Sequence, residues 1–148
     1  MKTVLFICTY TSARSQMAEA FLNKLCGDRF EAKSAGVTPT GINPYFAKAM
    51  AEVGVDLSTH RSKSIMEFQG KILDYVVTVC DSARENCPFF PGKTEIDKSF
   101  QDPSGLKGTE EEILQKVRVV RDEIKSWVET TFCKGNLPRG DLAELYRG

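Results

Sequence analysis

A single doubly wound α/β domain is the fold this sequence predicts, on three grounds. Short runs of apolar and β-branched residues, of the kind a strand buried on both faces requires, alternate with segments of helical periodicity. Glycines, prolines and capping residues punctuate the junctions between them. At 148 residues the chain has the size of one ordinary domain, long enough to remove roughly 70% of its unfolded surface from water. Parallel strands joined by right-handed crossovers then place helices on both faces of one sheet.

Residues 3–8 are a continuous apolar run and predict the first strand. After a polar turn, the stretch Arg14–Cys26 carries Met17, Phe21 and Leu25 at fourfold spacing, with Gly27 where a helix would stop. Residues 30–35 read as a second strand ending at Gly36. Asn43 is a good N-cap and Pro44 suits the first position of a helix that carries Ala47, Met50, Ala51 and Val53 and ends at Gly54. Ser64 with Glu67 fits a capping box and predicts a short helix toward Gly70. Residues 75–79 are apolar and β-branched, hence a central strand, with Cys80 at its carboxyl end. Residues 93–100 are a weaker strand candidate leading into a polar loop around Asp102. Thr109 with Glu112 forms a second capping box, its acids set against the positive end of a helix dipole. That helix presents Ile113, Val117, Val120, Ile124, Trp127, Val128 and Thr131 along one face. The domain is expected over residues 1–133. Residues 134–148, interrupted by Gly135, Asn136, Pro138, Gly140 and Gly148, read as a loosely attached tail.

Composition narrows the function. With 41% hydrophobic and 27% charged residues, the chain is neither disordered nor membrane-like. Lys plus Arg and Asp plus Glu both number 20, so no global positive field favours nucleic acid or anionic lipid. Any anion it binds must be held locally. The apolar N-terminal run ends at Thr9, too early for a secretory signal, and no stretch approaches the roughly 20 residues that span a bilayer. A cytoplasmic monomer is expected. The cysteines number 5, an odd count in a chain large enough to build a core, which argues against a disulfide framework and for reactive thiols in a reducing compartment.

The carboxyl ends of the strands are where function collects in such a sheet, and Cys8, Cys80 and the Asp102 loop would all emerge there. Cys8 opens the pattern C-x5-R-S between a strand and a helix. A loop this short, Thr9, Tyr10, Thr11, Ser12 and Ala13, can aim backbone N–H groups at one tetrahedral oxyanion, together with the helix N-terminus and the Arg14 fork. The same donors favour a thiolate, so the Cys8 pKa is expected to fall from about 8.5 into the ~4 to 7 range, with Ser15 donating to the sulfur. Cys8 would then be a nucleophile already charged. As a lone residue it would read as a small buried hydrophobe at a strand end; the placement of Arg14, Ser15 and the helix start favours chemistry. Asp102, before Pro103, is the candidate general acid for a departing oxygen; the plainer reading is an Asp-Pro turn opener. His60, the only histidine, sits in a polar stretch and reads as a loop residue.

Cys80 and Cys87 bracket the second informative segment. On a helix their Cα atoms would be roughly 10 Å apart, beyond the roughly 7 Å a disulfide tolerates. Joining them demands unwinding, and the intervening Asp81, Ser82 and Asn86, with Pro88 beyond, make a poor helix. A reduced ordered form and an oxidised looped form are both open, as are accidental packing and half of a metal site, although zinc pairs sit two to four residues apart. Cys26 and Cys133 read as structural or incidental.

With these residues in place, the chain resembles the low-molecular-weight protein tyrosine phosphatase superfamily and, within it, the thioredoxin-coupled arsenate reductases. The resemblance is carried by residues 8–19, by Ser34, Ala35 and Gly36, and by Asn43 and Pro44. It continues through residues 76–80 and 86–88, Asp102 and Pro103, and residues 117–124. It implies a four-stranded parallel sheet flanked by helices, with the phosphatase loop reused for arsenate and no tightly bound cofactor. Cys8 would attack arsenic, Arg14 and the loop amides would bind the oxyanion, Ser15 would support the thiolate, and Asp102 would protonate the leaving oxygen. Cys80 would attack the Cys8 adduct, and Cys87 would move the disulfide to Cys80-Cys87, where thioredoxin reduces it. Hydrolysis of aryl phosphates by Cys8, Arg14 and Asp102 alone is the alternative, and a non-catalytic oxyanion- or arsenite-binding module is a second.

The chain departs from the family in its loop. A small residue and Asn usual at positions 10 and 11 are here Tyr10 and Thr11, and β-branched Thr resists left-handed backbone that Asn tolerates. Relatives that bind potassium do so with side chains aligning to Thr11, Glu19, Ser34 and Lys63, of which only Glu19 and Ser34 match. Weak or no potassium dependence is expected.

Overall fold

The structure, a computed structural model, describes residues 1–10, 14–38, 44–57, 64–79, 90–100, 107–135 and 137. Four strands, β1 (Lys2–Tyr10), β2 (Phe30–Thr38), β3 (Tyr75–Thr78) and β4 (Thr94–Asp97), form one sheet in the order β2-β1-β3-β4, every pair parallel. The chain leaves β1 for β2 on one side, then crosses back to β3 on the other. Such a reversal opens a crevice at the carboxyl ends of the central strands, and Cys8 lies near that end of β1, opposite Gly36 of β2. β1 runs two residues beyond its apolar stretch because pairing, down to Tyr10 opposite Thr38, uses backbone groups and needs no apolar side chain.

A strand's side chains alternate between faces, and β1 divides accordingly. Val4, Phe6 and Cys8 join the larger core with residues of α1 (Arg14–Cys26), α2 (Pro44–Ala51) and α3 (Glu110–Val128). Leu5 and Ile7 face a smaller core with Phe68, Leu73, Val76 and Phe90. Each such fully buried side chain contributes roughly 1.5–3 kcal/mol, which is why a continuous apolar run identified the central strand.

Several helix boundaries follow the predicted signals; Asn43, the expected N-cap of α2, lies outside the described residues. α2 ends at Ala51, short of the expected Val53, and a turn follows in which Gly54, at φ 81°, lets its own N–H donate to Ala51 and that of Val55 reach back to Met50, a left-handed lock open to glycine without strain. The capping box at Ser64 is formed, its hydroxyl accepting from the Met66 N–H and Glu67 accepting from the Ser64 N–H. It opens a single 3-10 turn, Ile65–Phe68. Thr109 caps α3 by accepting from the Glu112 N–H at 3.2 Å, and α3 runs on into a π-helical turn, Glu129–Cys133. Of the expected face, Val117, Val120, Ile124, Val128 and Thr131 are buried, whereas Ile113 and Trp127 are half-buried. Leu114 and Arg121 complete the buried stripe.

Arg121 is tolerated there because the end of α2 and the turn after it supply partners. Its Nη1 donates to the Ala49 carbonyl at 2.8 Å and to Glu52 at 2.9 Å, while Arg118 binds the other Glu52 oxygen at 2.6 Å. Hydrogen bonding from Arg118, and then the two positive charges, hold the Glu52 carboxyl well below its ordinary value, at about 2. A carboxyl depressed by folding stabilises the fold above its unfolded pKa of 4.5 and loses that contribution as pH falls toward the folded value. The melting temperature of Glu52→Gln is therefore expected to lie below that of the unmodified chain at pH 7 and to converge with it as pH falls from about 4.5 toward 2. A constant gap across that window would refute the assignment.

The cysteine expectation is corrected for one pair. Cys26, at the end of α1, is joined by a disulfide to Cys133 in the π-helical turn, their Cα atoms 5.8 Å apart and their positions separated by 107 residues. Packing of α1 on that turn brings the two together, a tertiary event that spacing does not encode. Linking positions so distant restricts the unfolded chain and stabilises the fold by roughly 2–4 kcal/mol. Among the described residues, no helix is long and apolar enough to cross a membrane.

Candidate functional site

Two of the predicted site residues, Cys8 and Ser15, are brought together where β1 hands over to α1, the helix that Arg14 opens. Cys8 is fully buried near the carboxyl end of β1, and its side chain falls on the face covered by α1. α1 begins at Arg14, so Ser15 stands in its first turn, and the Ser15 Oγ lies 3.2 Å from the Cys8 Sγ. When the sulfur is ionised it can only accept, and the hydroxyl becomes the donor. The start of a helix adds positive potential at the same place. An ionised Cys8 sulfur would thus meet a directed hydrogen bond from Ser15 and the positive end of the α1 dipole.

Arg14 is 2% exposed. A guanidinium so deeply placed must be hydrogen-bonded to be tolerated, and its Nη1 donates to the backbone carbonyl of Phe100 at 3.1 Å. Phe100 follows β4 and stands two residues before Asp102 in the sequence. The first half of α1 is buried on all sides, polar residues included: Gln16 is 0% and Glu19 8% exposed. The buried Ser34 hydroxyl, two positions before Gly36 on the same face of β2, donates to the Glu19 carboxylate. Thus Glu19 and Ser34, the two candidate potassium positions of the sequence reading, are bonded to each other. Among the described residues, no group of three or more His, Cys, Asp or Glu could hold a metal ion.

Thr11, Ser12 and Ala13 of the loop, Lys63, Cys80, Cys87 and Asp102 lie outside the described residues, as do the side chains of Thr9 and Tyr10. Val79, which precedes Cys80 in the sequence, donates its N–H to the carbonyl of Ile7, the residue before Cys8, at 2.9 Å. Sequence reasoning missed Phe100, because its contribution is a backbone carbonyl and no residue type announces that. It also missed Gln16, a polar residue whose burial depends on the whole fold.

The chain has known relatives. Residues 3–132 match the family described as low molecular weight phosphotyrosine protein phosphatase. An arsenate reductase of Staphylococcus epidermidis is 44% identical over 130 residues, covering 87% of this chain and 94% of that protein. A solved arsenate reductase in its phosphate-binding state superposes with a TM-score of 0.73 at 32% identity, over 88% of this chain and 95% of the other. A thioredoxin-dependent arsenate reductase of Corynebacterium glutamicum is similar at a TM-score of 0.58 and 27% identity, over 88% of this chain and 63% of that one.

Proposed function

The chain belongs to the low molecular weight phosphotyrosine protein phosphatase family, and on that premise we propose that it is a cytoplasmic, monomeric enzyme that reduces arsenate to arsenite. The observation that carries the reading is the Cys8 sulfur held 3.2 Å from the Ser15 hydroxyl at the start of α1, with Arg14 buried beside it in sequence. Phosphate ester hydrolysis and arsenate reduction share this first nucleophile. Reduction is favoured by Cys80 and Cys87, which hydrolysis does not use, and by similarity to arsenate reductases over nearly the whole chain.

In this reading the Cys8 thiolate attacks arsenic while Arg14 and the amides of residues 9–14 hold the oxyanion. Asp102 gives a proton to the departing oxygen, which leaves as water. The Cys80 thiolate then attacks the Cys8 sulfur. A sulfur–sulfur bond forms, the sulfur–arsenic bond breaks, and its electron pair stays with arsenic, which leaves as arsenite with two electrons gained. Cys87 attacks Cys80, releasing the Cys8 thiolate and leaving a Cys80-Cys87 disulfide for thioredoxin to reduce. Residues 1–133 carry the catalytic domain in this scheme, with residues 134–148 as an appended tail.

The test is NADPH oxidation by the chain with thioredoxin, thioredoxin reductase and arsenate. Sustained arsenate-dependent oxidation is expected. A trace at the no-arsenate baseline together with hydrolysis of p-nitrophenyl phosphate would assign the site to ester hydrolysis, and binding of phosphate with neither activity would leave a binding module.

A further inference from the structure

We propose that Phe100, its ring anchored by Trp127, is a positioning residue that aims the Arg14 guanidinium. The inference rests on the reading of Arg14 as the oxyanion ligand. A guanidinium recognises a tetrahedral anion through a planar fork, so its value depends on the plane in which the fork is held. Here Arg14 is 2% exposed and one arm of the fork, Nη1, is fixed on the Phe100 carbonyl at 3.1 Å. A carbonyl is a useful partner for this purpose. It orients the cation through a directed bond and brings no negative charge of its own.

What fixes the carbonyl is the side chain on the same residue. β4 ends at Asp97, and the N–H of Lys98 still donates to Thr78 at 2.8 Å. Two residues farther on, the Phe100 ring is 4% exposed and meets Trp127 of α3 edge-on, centroids 6.0 Å apart at 74°. The Lys98 ammonium covers the ring at 5.7 Å. Trp127 is held in turn, edge-on, by Phe132 at 5.9 Å. The ring of Phe100 is therefore seated against α3, and its carbonyl follows. Small misplacements of a binding group reduce rates steeply, by up to about 100-fold for 1 Å.

The experiment uses the full chain with reduced Cys8, inorganic phosphate as the probe, and two variants that loosen the same contact, Phe100→Leu and Trp127→Leu. Rotation of the Arg14 guanidinium about its Nε–Cζ bond is followed by ¹⁵N NMR, and phosphate affinity by calorimetry. Hindered rotation is expected in the unmodified chain and freed rotation in each leucine variant that folds. Phosphate affinity should weaken about 10-fold, and in turnover KM should rise more than kcat falls. Trp127→Phe, which keeps an edge-to-face partner, should behave like the parent. Should Phe100→Leu fail to fold, the half-buried Trp127 supplies the test alone. Fast rotation in the unmodified chain, or hindered rotation and unchanged affinity in the leucine variants, overturns the proposal. If the unmodified chain does not bind phosphate while Arg14 is still released by the leucine variants, the oxyanion reading fails and the positioning contact stands.

Discussion

Cys8→Ser is expected to lower arsenate turnover by roughly 10^4-fold or more, the loss typical of removing a covalent nucleophile that acts as one unit with its neighbours. The change is nearly isosteric and lies in a fully buried position, so the core loses little. The chemistry loses two things. A serine hydroxyl is not ionised near neutral pH, so the Ser15 hydrogen bond and the start of α1 have no anion to stabilise. Even an oxygen that did attack arsenic could not leave as half of a disulfide with Cys80, so the electron pair could not pass to arsenic. Phosphate affinity, by contrast, should survive, because Arg14 and the loop amides remain. Arsenite formation measured by mass spectrometry, beside phosphate binding by calorimetry, checks both halves. More than about 1% residual turnover would remove Cys8 from the role of nucleophile, and loss of phosphate binding together with the melting transition would point to a packing role instead.

The elements most legible in the sequence are those decided locally. α1 occupies Arg14–Cys26 because three apolar residues at helical spacing and a following glycine are enough to specify a helix and its end. β1 and β3 were visible because burial on both faces leaves a run without polar interruptions. The C-x5-R-S pattern was legible for the same reason: strand, tight loop and helix start are contiguous, so Cys8 and Ser15 meet through local geometry. What the sequence hid depends on partners far along the chain. Arg121 looks like a solvated helix residue until the end of α2 and the turn after it offer the Ala49 carbonyl and Glu52, 72 and 69 residues away. The Cys26–Cys133 disulfide and the Phe100 carbonyl contact with Arg14 join positions 107 and 86 residues apart. Neither a pairing of sulfurs across such a span nor a role played by a main-chain oxygen leaves a mark in residue type or spacing.

Cys87→Ser is expected to convert the enzyme from many turnovers to one arsenite per chain, while Cys80→Ser releases none. The difference follows from the order of thiol exchanges. With Cys80 present and Cys87 absent, Cys80 can still attack the Cys8 adduct, reducing arsenic and ending in a Cys8-Cys80 disulfide. Cys8 is fully buried, so that bond is closed to an external dithiol, and exchange requires in-line access to sulfur. Without Cys80, no thiolate takes up the Cys8 sulfur and arsenic is not reduced. The measurement is arsenite released in a single-turnover mixture, with intact mass of the product chain under non-reducing conditions. The parent already carries the Cys26–Cys133 bridge, so the informative quantity is the additional loss of two hydrogens in Cys87→Ser after exposure to arsenate. Continued turnover of Cys87→Ser with thioredoxin would mean that Cys80 or Cys8 is reached directly, and the relay would be abandoned. A full burst from Cys80→Ser would mean that another thiol resolves the adduct, making Cys87 the first candidate and reversing the order of the pair.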